Sequence, residues 1–435
     1  MTYVEAQRIS DATDSSILAA VTAGNPTPNA NGIVTRNVDM SFDAFNRLRV
    51  SNPYNQFAGF NEYKINPFNF VTHTVGTGTA THSTTTKNVT LSTGGTVSGA
   101  RAVLQSRLYF RYVPGKSLFP MLTFVMGSAP PSNCAKRAMY GDDNNGIGVE
   151  WTITGVRFIK RSNTTGSVVV TNVEQASWSV DPLNGAGPSG LTLDLTKGQI
   201  FWMDLQFLGM GTVRFGFEIN GVPYLCHTMH HANLTATQPY IATANLPVRW
   251  EIVNTGTAGA SASMECCCAK VDSEGGFEVP GIQYSASRGA TGLSTTTTLK
   301  PLISIRPGPT FNGITNRGWI VPQAAKMVTV GTSIHYWELI WNATLTGASW
   351  AAVNTNAMGQ YDVTASAVSL GSGVVVDSGY IDPASGAGAD TGSFFAGRPL
   401  VNSFDGTTPD TLTLAIRTIS GTDDAYGSIS WLGYW

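Results

Sequence analysis

Charged side chains are scarce in this sequence. They make up 12% of its residues, and the formal net charge is -2. No basic excess exists to neutralise phosphates along a nucleic acid, so nucleic-acid packaging and RNA binding are disfavoured. Long apolar runs are missing too. No segment reaches the roughly 20 uninterrupted apolar residues that span a bilayer, and no strongly basic amphipathic face suggests attachment to its surface, so membrane insertion is not expected. Residues 1–33 open with acidic and polar side chains and lack a basic flank followed by an apolar run. No secretory signal is expected there, and the mature protein is expected to begin at Met1.

Cysteine is sparse. Cys134, Cys226, Cys266, Cys267 and Cys268 form an odd set without the regular spacing of a disulfide framework, which fits folding in a reducing compartment. In a strand the triplet Cys266-Cys267-Cys268 alternates faces, so at most Cys266 and Cys268 point the same way, and burial is expected rather than metal binding. Long helical periodicity, internal repeats, P-loops and dinucleotide fingerprints are all absent. So are the helices that a nucleophile elbow requires.

What the chain does have is 42% apolar residues, 10% aromatics and 47 glycines, enough to fill real cores between short strands and many turns. Its 435 residues exceed the length at which one hydrophobic core keeps growing, so two domains are expected. Period-two alternation marks strands at 108–113, 148–153 and 246–253. The runs 199–208 and 212–219 flank Gly209-Met210-Gly211 as a hairpin, and Asn220-Gly221 is a type I′ turn signal leading into 222–227. Glycine-rich, acidic 272–276 and Pro280-Gly281 punctuate the chain. Beyond them, strands are expected at 302–306, His335–Trp341 and 411–417, and 427–435 alternates to the last residue. The reading is all-β: an extended N-terminal arm over 1–54 and two antiparallel, jelly-roll-like β-sandwiches over 55–280 and 281–435. Within the arm, Phe42, Phe45 and Leu48 stand apolar among Asp43, Arg47 and Arg49. Phe42, Phe45, Arg47, Leu48 and Arg49 are therefore the candidate assembly residues, ordered on contact with a partner.

Several residue groups could carry chemistry. His227, His230 and His231 could ligate zinc or act as bases, but without an acidic or thiol ligand at suitable spacing, local hydrogen bonding is expected. Asp142-Asp143-Asn144-Asn145-Gly146 resembles a calcium loop without its closing Glu, and a solvated turn is expected there and at Asp423-Asp424. Asp204, Glu218 and Glu251 could supply an acid pair for glycoside cleavage. Their alternation with apolar residues predicts solvent-facing strand positions instead. Trp202, Trp250, Trp337, Trp341, Trp350, Trp431 and Trp435 could stack on sugars, though most are expected in cores, Trp337 and Trp341 sharing a face with Leu339. No catalytic, cofactor-binding or metal-binding residue is assigned.

The run 202–209 through 214–217, with His231-Ala232-Asn233 and 245–252, resembles a segment recurring in structural proteins of tailed bacteriophages and other viruses. The 42–53 run, Phe-Asp-Ala-Phe-Asn-Arg-Leu-Arg-Val-Ser-Asn-Pro, does so too. The central run is also similar to the concanavalin-type jelly roll of viral fibres and spikes. The likeness covers about half the chain, in pieces. It implies a non-enzymatic virion component, assembled in the host cytoplasm, that decorates a capsid or forms part of a fibre or spike. Other virion proteins and further copies of the chain, as a trimer or another homo-oligomer, are the implied partners. The alternative is a carbohydrate-binding module that recognises host-surface glycans.

Overall fold

The computed structural model describes residues 53–234, 237–276, 281–382, 389–391 and 398–434. The expected arm residues Phe42, Phe45, Arg47, Leu48 and Arg49 lie outside them, as does Trp435. Among the described residues the helical content is one 3-10 turn, Gln175–Ser177, and everything else is antiparallel strand, turn or loop. The chain divides into a first unit, Met1–Ser106 with Phe110–Phe277, and a second, Arg107–Tyr109 with Glu278–Trp435. The sequence reading places its boundary at 280. The short Arg107–Tyr109 segment, which sorts with the second unit, had no sequence signal.

Two sheets form the first unit. One runs Val222–Met229, Val213–Ile219, Gly198–Leu205, Leu118–Val125, Ser263–Ser273, Val89–Ser92 and Thr79–His82, with Tyr54–Gly59 also paired to Ser263–Ser273. The other runs Val169–Glu174, Gly155–Ser162, Gly146–Thr152, Cys134–Gly141, Val248–Asn254, Arg101–Ser106 and Phe70–Val75. Alternation sends Trp250, Ala138, Val149 and Phe158, which sit in one cross-strand row, into the space between the sheets. There Phe158 stacks on Trp178 at 4.0 Å between centroids and on Phe215 of the opposing sheet at 4.7 Å. Such pairs add about 0.5–1.5 kcal/mol each beyond the area they bury. On the far side of the eight-stranded sheet, Trp202 packs with Phe119 and Leu225. It crosses Gly216 so closely that a Cβ there would sit 2.0 Å from its ring and 2.2 Å from the Tyr224 carbonyl, so only glycine fits that strand position.

The second unit has a six-stranded sheet ordered Ala351–Ala352, Gly359–Asp362, Lys300–Pro307, Leu412–Thr418, His335–Trp341 and Val374–Ile381. Facing it, Ile282–Ser287, Asp423–Tyr434, Trp319–Val330 and Ala389–Thr391 pair in order, with Leu293–Thr295 on Asp423–Tyr434. Asp423–Tyr434 alternates burial along its length, placing Ala425, Ile429 and Trp431 in a core with Leu302, Ile305, Leu339 and Leu414. Trp337, Leu339 and Trp341 share that core, as their spacing predicts.

Two readings need correction. Residues 108–113 form no strand; one isolated bridge, Phe110 to Leu246, is all the pairing they make. The Tyr109 carbonyl instead accepts from Trp319 Nε1 at 2.9 Å, and its ring lies 4.5 Å under the Arg317 guanidinium, so tertiary partners replace the ladder. The cysteine triplet does not alternate, because a bulge between Cys266 and Ala269 breaks the register. Cys266 is buried, Cys267 half-buried and Cys268 exposed, all three as free thiols. Asn220 and Gly221 do adopt positive φ (56° and 74°) as a type I′ turn demands.

Phe158→Ala removes the ring that joins the first unit's two sheets. It is expected to lower that unit's unfolding free energy by ~3–5 kcal/mol, measured by equilibrium denaturation; a loss below ~1 kcal/mol would mean the aromatic stack can collapse around the gap.

Candidate functional site

The seven-stranded sheet carries, on the face away from its aromatic core, a row of alternating charge. Glu251, Arg137, Glu150, Arg157 and Glu174 are successive cross-strand neighbours on Val248–Asn254, Cys134–Gly141, Gly146–Thr152, Gly155–Ser162 and Val169–Glu174. Arg137 Nε reaches Glu150 at 2.5 Å and its terminal nitrogen bonds Glu251, while Arg157 Nε donates to the other Glu150 oxygen at 2.6 Å. Arg101 also pairs with Glu251 at 2.5 Å, and Arg249 at 3.3 Å. Opposite charges directly across strands stabilise a sheet; around Glu251 and Glu150 little water screens them, while Glu174 at the row's end is half exposed. Glu251 and Glu150 are each 2% exposed. Burial raises the Glu251 carboxyl's pKa, but Arg137, Arg101, Arg249 and Arg161 outweigh it and hold the group well below its ordinary value.

Glu251 is therefore not the solvent-facing residue that its alternation with apolar neighbours predicts. Asp204 is buried as well, accepting a hydrogen bond from Ser117 Oγ. Period-two patterning assigns a face but cannot say whether that face is wet, and these two acids sit on faces that are dry. The 142–146 turn is also more than a solvated loop. Asp142 Oδ1 caps it by accepting from the amides of Asn144 and Asn145, both at 2.8 Å. Asp143 pairs with Arg101 and, at 2.6 Å, with Arg249. Burial opposes that ionisation, yet the two arginines bring Asp143 down to about 2, so it completes the charged row rather than a calcium site. Asp423 accepts from the Ser333 amide at 2.8 Å.

The three histidines separate into local partnerships. His227 Nδ1 accepts from the Ser179 amide at 3.1 Å, and His230 Nδ1 lies 3.2 Å from Thr212 Oγ1. His231 Nδ1 contacts the Gly211 carbonyl at 2.6 Å while its ring stacks on Tyr240 at 4.1 Å. Burial brings His231 down to about 4, so it is neutral at physiological pH. Lys136, by contrast, carried no sequence signal. It is fully buried beside the core, with Nζ donating to the carbonyls of Met126 and Ser128 at 2.5 and 2.7 Å, and burial lowers it to about 8.

The second unit holds an open cavity of about 520 Å³ whose lining includes Arg107, Arg306, Asn342, Trp350, Thr408 and Asp410. Gly359–Asp362 and Lys300–Pro307 pair so that Arg306 faces Gln360, whose Oε1 accepts from Arg306 Nε at 2.9 Å. The Arg306 guanidinium lies 4.2 Å over the Trp350 ring, a stack that fixes its plane. Asp410, almost fully buried, takes Arg107 at 2.7 Å and Asn342 Nδ2 at 2.9 Å on Oδ1, and the Val401 amide at 3.2 Å on Oδ2. Of the tryptophans weighed as sugar platforms, Trp202, Trp250, Trp337, Trp341 and Trp431 are core residues; Trp350 is half-buried and lines this cavity.

No protein-family model matches the chain, and no curated protein matches it. Among solved structures it is similar to a legume lectin-like domain from Entamoeba histolytica, at 11% identity and a TM-score of 0.29 over 53% of this chain and all (100%) of that one. It is also similar to the carbohydrate recognition domain of Emp47p, at 10% identity and a TM-score of 0.33 over 51% and 97% of the two chains. The endo-1,3-beta-glucanase from Streptomyces sioyaensis gives 12% identity and the same TM-score, 0.33, over 51% and 97%. Likeness at this level carries no argument about activity.

The charged row predicts an acid-side loss of stability. Glu251 titrates lower when folded than its ordinary 4.5, so its contribution is present above that pH and is lost as pH falls through the folded value. Glu251→Gln is expected to cost ~3–5 kcal/mol at neutral pH by stranding buried guanidinium charge, and to flatten the acid limb. Denaturant unfolding of both proteins from neutral pH into acid reads the two effects together; equal stability at neutral pH would show that the row contributes nothing net.

Proposed function

We propose that this chain is a structural protein of a virus particle that acts through assembly contacts rather than turnover. One observation carries the assembly reading: among the described residues, the edge strand Val169–Glu174 is open. It ends the seven-stranded sheet, five of its six residues are exposed, and Val168, Val169 and Val170 are 44%, 52% and 48% accessible. Natural edge strands are blunted by lysine, proline or an inward charge; 168–173 has none of these, and the strand's one charge is Glu174 at its end, paired with Arg157 at 3.4 Å. A valine-rich edge with its one charge at the end is a template for strand addition, and a second copy of this chain is the partner it suits, since like edges pair antiparallel about a two-fold axis. Against catalysis stands the state of the acids. Glycoside cleavage needs one carboxyl that keeps its proton near neutral pH, whereas Glu251 is held ionised and Glu150 is bridged by two arginines.

A second reading, binding of host-surface glycans, is favoured by the Trp350 and Arg306 cavity. Aromatic and guanidinium planes beside hydroxyl-bearing side chains are what sugar rings and their substituents pack against. The two readings are compatible, because a surface component of a particle can bind while it builds.

In the full chain, Val169→Lys combined with Val170→Lys is expected to shift the species seen by size-exclusion chromatography with light scattering to a smaller mass. An unchanged mass with retained fold would sink the edge as the assembly contact.

A further inference from the structure

The second unit's cavity is rich in donors and poor in acceptors. Two guanidinium groups, Arg107 and Arg306, face one carboxylate, Asp410. That carboxylate is already saturated by Arg107, Asn342 and the Val401 amide, so it offers a ligand little. The other nearby acids are also engaged. Asp362, which acts electrostatically on Arg306, accepts from the amides of Ser349 and Ala365 at 2.8 and 3.0 Å and from Thr364 Oγ1 at 2.6 Å. Asp405 turns into its own loop, accepting from Ser403 Oγ at 2.5 Å and from Thr407 Oγ1 at 2.7 Å. Arg306 spends only Nε on Gln360. Among the described residues, nothing accepts from its two terminal amino groups, while the Trp350 stack holds their plane fixed.

A preoriented fork with vacant donors selects a planar, two-oxygen anion, and a carboxylate fits that geometry better than a neutral hydroxyl. We infer that this cavity binds a carboxylate-bearing sugar, an acidic glycan residue whose carboxylate docks on Arg306 beside Trp350. The inference rests on the glycan-binding reading and names the class of sugar. A cavity of about 520 Å³ is within the ordinary size of small-molecule sites.

The test uses the full chain and two simple probes, methyl glucuronide and methyl glucoside, compared by saturation-transfer NMR and calorimetry at millimolar concentration. The glucuronide is expected to bind about tenfold or more tightly than the glucoside, as a charge-assisted bidentate contact requires. Arg306→Gln, shown to be folded by its thermal transition, is expected to abolish that preference. Equal binding of the two sugars, or an Arg306→Gln protein that keeps the preference, overturns the carboxylate inference and leaves glycan binding standing. Binding of neither sugar overturns both.

Discussion

Glu251 lies under Arg137, Arg101 and Arg249 on a face that water hardly reaches, and no carboxylate could be buried there without them. The first unit's packing depends on that balance. One side of the seven-stranded sheet is aromatic and closes the sandwich core, and the other is ionic and closes on itself. A row of alternating signs achieves this across five adjacent strands because each register step places an arginine opposite a glutamate. A slip of one residue would send the charges into the aromatic core, so the row specifies register as strongly as the core does.

The same balance bears on function. The arginines that neutralise Glu251 also hold it well below its ordinary carboxylate range, which is the opposite of what a general acid needs. In the second unit the arrangement is reversed. Asp410 is neutralised, but Arg306 is stacked and retains unused donors in an open cavity. The first unit's row spends its guanidinium groups on buried acids, whereas among the described residues nothing accepts from the Arg306 terminal amino groups. Arg306 and Trp350 are 44 residues apart in the chain (306 and 350), a separation at which nothing local signals their contact.

The all-β class, the two units, the hairpin through Gly209-Met210-Gly211 and the Asn220-Gly221 turn were legible because they rest on local chemistry. Period-two alternation and positive-φ residues act over a few positions and survive without knowledge of partners. The burial of Trp337 and Trp341 was readable for the same reason. Residues 108–113 show where that reasoning stops, since an alternating run becomes a strand only if a neighbour offers a free ladder. Tyr109 found Trp319 and Arg317 instead.

By itself, then, the sequence determined which stretches are extended, where they turn and which side chains alternate, because steric preference and hydrophobic period are properties of neighbouring residues. Only the tertiary structure decided that Glu251 and Asp204 are dry, that Asp143, in its exposed turn, pairs with two arginines, and that Trp350 meets Arg306. Each of those outcomes depends on cross-strand register between segments far apart in the chain, and register is set by the summed fit of whole sheets rather than by any local pattern.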